Sequence, residues 1–244
     1  MLGVLKRLFS GAGGTAQESH DWEDLVPWAH QRQYGFRPVP DEGFVVDGRL
    51  GASPWRLEWG PSQRPYIAGH ELRIRAELGL SAELQVVVMN VPLQEQMEKD
   101  VFEQYVEGVQ TRIDNQTPPE MRWLVMFPRL DSKDLGQLAD RYVALSSLKP
   151  WLLQWLAGPL AQSLAALRVE AAVPMVLMIG RGRLMLRTAL ADPELPALQA
   201  WLRLFETAMR EAQRVAAGSR DANSPSLLPG LSSTSALPGD ERSR

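Results

Sequence analysis

The strand-like stretch from Phe36 to Asn90 constrains the fold more than any other feature of this sequence. In His70–Leu78 apolar and charged residues alternate, so one face of the strand is apolar and the other is charged. Gly43–Leu50 and Pro54–Trp59 alternate in the same way around a glycine-rich turn. The continuous run Val86–Met89 is instead typical of a strand covered on both faces. This pattern predicts an antiparallel meander with one solvated face.

Helical patterns surround this stretch. An acidic start at Ser19 predicts a helix that ends at Gly35. Asn90 is expected to cap a second helix, because apolar residues recur every four positions after it. Thr117 and Glu120 have the spacing of a capping box, which favours a short helix over 118–127, although that segment would also suit a strand.

The second half of the chain is predicted to contain two helices, a hairpin and a final helix, in that order. Residues 132–146 and the uncharged stretch from Pro150 to Arg168 are both expected to be helical. Residues 174–188 predict a hairpin that turns at Gly180–Gly182. A final helix starts at Asp192, and its apolar residues follow the three- and four-residue spacing of an amphipathic helix.

Strands cluster in this order instead of alternating with helices, which predicts an α+β fold. We expect an antiparallel sheet, built from the early meander and the late hairpin, packed against several amphipathic helices. Residues 1–19 read as a short amphipathic leader and a glycine-rich linker. Residues 20–216 are expected to form a single domain. Residues 217–244 are rich in serine, proline and glycine and are expected to be disordered.

The sequence lacks most of the residues and motifs that are typical of enzyme active sites. It has no cysteine, which excludes thiol nucleophiles and thiolate metal sites, and only three histidines. His70 and Glu71 are adjacent on a predicted strand, so their side chains point to opposite faces and form a poor catalytic pair. We therefore predict no catalytic residue, no metal and no cofactor. An enzyme that uses carboxylates and His70 remains the alternative, because carboxylates can act without a sequence motif.

Arginines form the polar group of greatest interest. Arg56, Arg64, Arg73 and Arg75 are the candidate residues for binding an anion or a partner, because guanidinium groups recognise carboxylates and phosphates. The other interpretation is a ladder of cross-strand ion pairs, each contributing roughly 0.2–1 kcal/mol. Arg187 and its neighbours in the late hairpin would join the group if that hairpin packs beside the meander.

These observations predict a non-enzymatic, cytoplasmic binding or accessory protein that engages a protein partner or a small anionic ligand through an arginine-rich sheet face. The formal net charge of −3 gives no indication of nucleic-acid binding. Residues 1–14 are similar to the leader of many bacterial accessory proteins. A second alternative is therefore a peripheral protein that contacts the inner face of the membrane weakly through residues 1–10. The identity of the partner and the oligomeric state are left open.

Overall fold

The computed structural model describes Trp22 and residues 24–40, 42–106 and 117–223. The strands within these residues form one antiparallel sheet of eight, in the order β1-β2-β3-β4-β8-β7-β5-β6. The strands are β1 (Gly35–Val39), β2 (Gly43–Leu50), β3 (Ser53–Pro61), β4 (His70–Glu77), β5 (Val86–Asn90), β6 (Tyr142–Ser146), β7 (Met175–Gly180) and β8 (Arg183–Ala189). The helices are α1 (Leu25–Gln31), α2 (Val91–Val106), α3 (Pro119–Met126), α4 (Ser132–Leu135), α5 (Lys149–Leu156), α6 (Pro159–Ala166) and α7 (Leu195–Asn223).

The predicted α+β class and the packing of an antiparallel sheet against helices are confirmed. Strands β1 to β4 form the early meander, and the hairpin β7–β8 joins it through pairing of β8 with β4. The predicted place of β5 at the end of the meander is wrong, because β7 and β8 lie between β4 and β5. Every residue of β5 is buried. A strand that is apolar on both faces is stable only where neighbours and helices cover it, and β5 gains that cover from β7, β6 and the helices.

The main core lies between one face of the sheet and helices α1, α5, α6 and α7. Its largest fully buried side chains include Trp155, Phe44 and Phe205. Trp155 donates its indole N–H to the carbonyl oxygen of Ala208 at 3.0 Å, so the one polar atom of this side chain is satisfied within the core. The apolar stripe of the last helix is buried along α7, as its spacing predicts.

Two predicted helices differ from the structure. Residues 132–146 contain only the short helix α4 and a 3-10 turn at Gly136–Leu138, and residues 142–146 form β6. Gly136 has φ of 54°, a conformation that interrupts a helix. The uncharged helix predicted from Pro150 to Arg168 is divided into α5 and α6 at Gly158, where φ is 93°. The short helix predicted over 118–127 is present as α3.

Asn90 does not act as the expected helix cap. Its side-chain amide donates to the carbonyl oxygens of Ala171 at 2.7 Å and Val173 at 3.1 Å. Its side-chain oxygen accepts from the backbone N–H of Met175 at 2.9 Å. Asn90 therefore anchors the segment that leads into β7.

The predictions for the two ends of the chain can be compared with the structure only in part. Helix α7 continues to Asn223, seven residues beyond the expected limit of the domain at residue 216. The predicted leader at 1–19 and residues 224–244 lie outside the described residues. No helix within the described ranges is both long enough and apolar enough to cross a membrane.

Candidate functional site

The second face of the sheet, opposite the main core, is charged on one side and apolar on the other. One row of directly paired residues runs Arg37, Val45, Glu58, Arg73, Arg187, Val176, Met89 and Val143. The next row runs Gly35, Asp47, Arg56, Arg75, Met185, Met178, Val87 and Leu145. Both rows are largely charged on β2 to β4 and apolar on β7, β5 and β6. We call the part of this face on β1 to β4 the open half, and the part on β7, β5 and β6 the covered half.

Helices α2 and α3 cover the covered half. A second hydrophobic cluster forms there, in which Met97 of α2 and Trp123 of α3 are buried with Val87 and Met89 of β5. Met97, Val87 and Met89 are each 0% exposed. This half of the face therefore lies beneath helices and stabilises the fold.

Ion pairs across the strands occupy the open half. The Arg56 Nε lies 2.7 Å from a carboxylate oxygen of Asp47. Glu58 is shared by two arginines, with 3.4 Å to the Arg73 Nε and 3.2 Å to an Arg75 guanidinium nitrogen. The ion-pair ladder considered as the alternative is therefore present.

Several guanidinium groups of the open half remain accessible despite these pairs. The side chains of Arg75 and Arg56 are 54% and 39% exposed, whereas that of Arg73 is 15% exposed. Arg37 and Arg49 are also exposed, and neither forms an ion pair within the described residues. The open half therefore carries more accessible positive than negative charge.

A buried polar cluster marks the boundary between the two halves. We call it the boundary cluster, and it consists of Arg64, Tyr66, Glu71, Glu120 and Arg187. Glu71 and Glu120 are both 0% exposed. The Arg187 guanidinium lies 2.5 Å from Glu71, and the Arg64 Nε lies 2.7 Å from Glu120. The Tyr66 hydroxyl donates to the same oxygen of Glu120 at 2.5 Å.

The electrostatics of the boundary cluster favour a protonated Tyr66 and a charged Arg64. Burial and the negative charge of Glu120 raise the pKa of Tyr66 above its usual range, so the phenol stays protonated and donates. Burial opposes the charge of Arg64, but the Glu120 carboxylate outweighs it and raises the pKa of Arg64. Each charged group has an ion-pair partner, although Glu120 Oε2 and Arg187 Nε accept or donate no hydrogen bond among the described residues. This pairing suits a structural role.

The four predicted arginines therefore do not form one group. Arg56, Arg73 and Arg75 lie together on the open half, whereas Arg64 lies in the boundary cluster. Glu120 is the partner that sequence reasoning missed, since it is 56 positions from Arg64 and its capping-box spacing with Thr117 predicts a helix start and not an ion pair. The late hairpin packs beside the meander, which was the condition for Arg187 to join the arginine group. Arg187 is nevertheless buried and paired with Glu71.

His70 takes no part in this arrangement. Its ring stacks on that of Trp59 with a centroid distance of 4.4 Å and an angle of 6°. It lies on the same face of β4 as Leu72, whereas Glu71 points to the second face. Among the described residues no group of three or more histidine, aspartate and glutamate side chains could hold a metal ion.

Comparisons with known proteins do not identify a family for this chain. No family model matches the sequence, and no curated protein matches it. Among solved structures, the crystal structure of the mycobacterial trehalose monomycolate transport factor A, TtfA, is similar with a TM-score of 0.45 and 10% sequence identity. The similarity covers 78% of this chain and 92% of that chain. A likeness of this size identifies neither the family nor the function of this chain.

Proposed function

We propose that this chain is a cytoplasmic binding or accessory protein that engages an anionic group through the open half of its sheet. The anionic group belongs to an acidic segment of a protein partner or to a small ligand. One observation carries the proposal: Arg56 and Arg75 are directly opposite each other on β3 and β4. Directly opposed like charges destabilise a sheet, and a carboxylate or phosphate placed between them would relieve the repulsion.

The ion pairs on the open half are compatible with such binding. An exposed ion pair contributes only about 0–1 kcal/mol to stability, so an arginine can exchange its partner at little cost. Glu58 is shared by Arg73 and Arg75, and Arg73 also lies 3.5 Å from Glu71, so the exposed Arg75 has only a shared carboxylate. Arg37 and Arg49 extend this positive surface along β1 and β2.

A quantitative pull-down with the tagged full chain tests the proposal. The variant Arg56→Gln with Arg75→Gln removes the opposed pair, and Arg32→Gln with Lys133→Gln removes two exposed charges elsewhere as the matched control. Proteins that the wild-type chain captures should be reduced by at least about tenfold by the first variant and retained by the control. Capture should also weaken as salt is raised.

Thermal unfolding of each variant verifies that the fold is intact. Equal capture by the wild-type chain and the Arg56 and Arg75 variant would show that the open half is only an ion-pair ladder. Equal loss in both variants would show that capture follows overall charge and not this surface.

A further inference from the structure

Helices α6 and α7 enclose a groove on the opposite side of the sheet from the open half. Its volume is about 580 Å³, which falls within the range of about 300–1,000 Å³ typical of small-molecule sites. Trp201 and Leu204 form its floor, and each is 3% exposed. Leu167 and Val169, which follow α6, add apolar surface. The groove therefore offers a concave apolar surface to a ligand.

Three arginines line the rim of this groove: Arg168 after α6, and Arg203 and Arg210 on α7. Arg203 and Arg210 are seven residues apart, so they lie on the same side of the helix. Arg168 and Arg203 form no ion pair within the described part of the chain, and Arg210 donates only to the hydroxyl of Thr207 at 3.4 Å.

No aspartate or glutamate of the described residues lines the groove. Glu206, which lies between Arg203 and Arg210 on α7, does not line the groove. Burial and then the charge of Glu206 raise the pKa of Tyr34, which precedes β1. The positive charge at the rim is therefore not compensated by a carboxylate among the described residues that line the groove.

We propose that this groove binds a small organic anion with an apolar body. Its phosphate or carboxylate head pairs with Arg168, Arg203 and Arg210, because guanidinium groups form strong hydrogen bonds with these anions. The apolar body lies along the half-buried Leu167 and Val169, above the floor of Trp201 and Leu204, and removes apolar surface from water. This site is separate from the open half, so either proposal can fail without the other.

Calorimetric titration of the full chain with three probes tests the chemistry of the ligand. The probes are octyl phosphate below its micellar concentration, inorganic phosphate, and octyl glucoside as the uncharged compound with the same chain. Octyl phosphate should bind at least about tenfold more tightly than either of the others. Equal affinity for inorganic phosphate would reduce the groove to a simple anion site and overturn the proposal. Equal affinity for octyl glucoside would overturn the role of the arginines.

Variants then locate the binding. Arg168→Gln with Arg203→Gln should weaken octyl phosphate binding by at least about tenfold, whereas Arg32→Gln with Lys133→Gln should leave it unchanged. Ala200→Phe fills the groove without changing its charge and should abolish binding. Both arginines of the first variant are exposed, so that variant tests the site even if Ala200→Phe does not fold. Binding that survives the loss of Arg168 and Arg203 would place the ligand elsewhere and contradict the proposal.

Discussion

The two halves of the second sheet face share one backbone and one register, yet they are stabilised in different ways. On the covered half, Val87 and Met89 lie beneath α2 and α3 and are completely buried. On the open half, the same two rows continue as Glu58, Arg73 and Arg75, which pair with each other in contact with water. Helices α2 and α3 therefore cover this face of the sheet where both rows are apolar.

This difference means that the two halves of one face contribute unequally to stability. Apolar burial contributes about 25 cal/mol for each Å² removed from water, whereas an exposed ion pair contributes about 0–1 kcal/mol. The covered half therefore supplies stability, and under our proposal the open half exchanges its ion-pair partners at little cost to stability. The boundary cluster lies between them, and its charges are paired because they are buried.

The largest expected effect comes from breaking the boundary cluster. Arg187→Met leaves the buried carboxylate of Glu71 without its closest partner and should lower the free energy of unfolding by about 3–5 kcal/mol. Arg56→Met removes an exposed pair of the open half and should cost less than about 1 kcal/mol. Urea denaturation compares the two.

Adding Glu71→Leu to Arg187→Met should recover part of the lost stability, because two apolar side chains replace the unpaired charge. If Arg187→Met and Arg56→Met cost the same, the boundary cluster is no more buried than the open half, and the comparison fails.

The covered half predicts a second contrast within one helix. Met97→Ala on α2 removes a fully buried side chain and should cost about 2–5 kcal/mol. Phe102 on the same helix is 69% exposed, so Phe102→Ala should change stability by less than about 0.5 kcal/mol. Chemical denaturation of both variants measures the difference, and a large loss for Phe102→Ala would show that α2 buries a different face.

The sequence predicts the two halves well but not their arrangement. Alternation in His70–Leu78 predicts a strand with one charged face, and the run Val86–Met89 predicts cover on both faces. Both features are local, because the side-chain period of a strand is set by its own residues. The place of the late hairpin between β4 and β5 depends on burial that only distant segments provide. The prediction of a helix over 132–146 is wrong for the same reason, because residues 142–146 form a strand only by pairing with the distant β5.

In the candidate site, too, the sequence predicts the placement of some residues and not of others. Arg56, Arg73 and Arg75 could be placed together, because their strands follow each other in the chain. Arg64 could not be assigned to the boundary cluster, since its partner Glu120 lies on α3, which only tertiary packing brings close. A buried ion pair between distant elements leaves no periodic signal in either segment.

Tyr66 tests the boundary cluster through pH. Tyr66→Phe removes the hydrogen bond to Glu120 and should cost about 1–3 kcal/mol near neutral pH. The folded protein holds the pKa of Tyr66 above that of the unfolded chain, which is about 10. The stability that this tyrosine contributes is therefore present below that pH and lost as the pH rises above it.

Unfolding free energies of both proteins, measured from neutral to alkaline pH, should consequently converge as the solution becomes more alkaline. A constant difference between the wild-type chain and Tyr66→Phe would mean that Tyr66 ionises at the same pH in both states.

The smallest expected effect belongs to the open half itself. Asp47→Asn removes the exposed carboxylate beside Arg56 and should change the free energy of unfolding by less than about 1 kcal/mol. The same substitution should strengthen capture of an anionic partner, because it frees the Arg56 guanidinium. Unfolding and pull-down measurements on this variant report both quantities, and weaker capture would count against binding through Arg56.

Chemical modification of arginines tests the division of the face most directly. Phenylglyoxal treatment of the native full chain, followed by mass spectrometry, gives the rate of modification at each arginine. The account predicts that Arg56 and Arg75 react at least about tenfold faster than Arg187, since a buried group reacts only when the protein opens locally. Modification of Arg187 as fast as that of Arg75 would contradict the account.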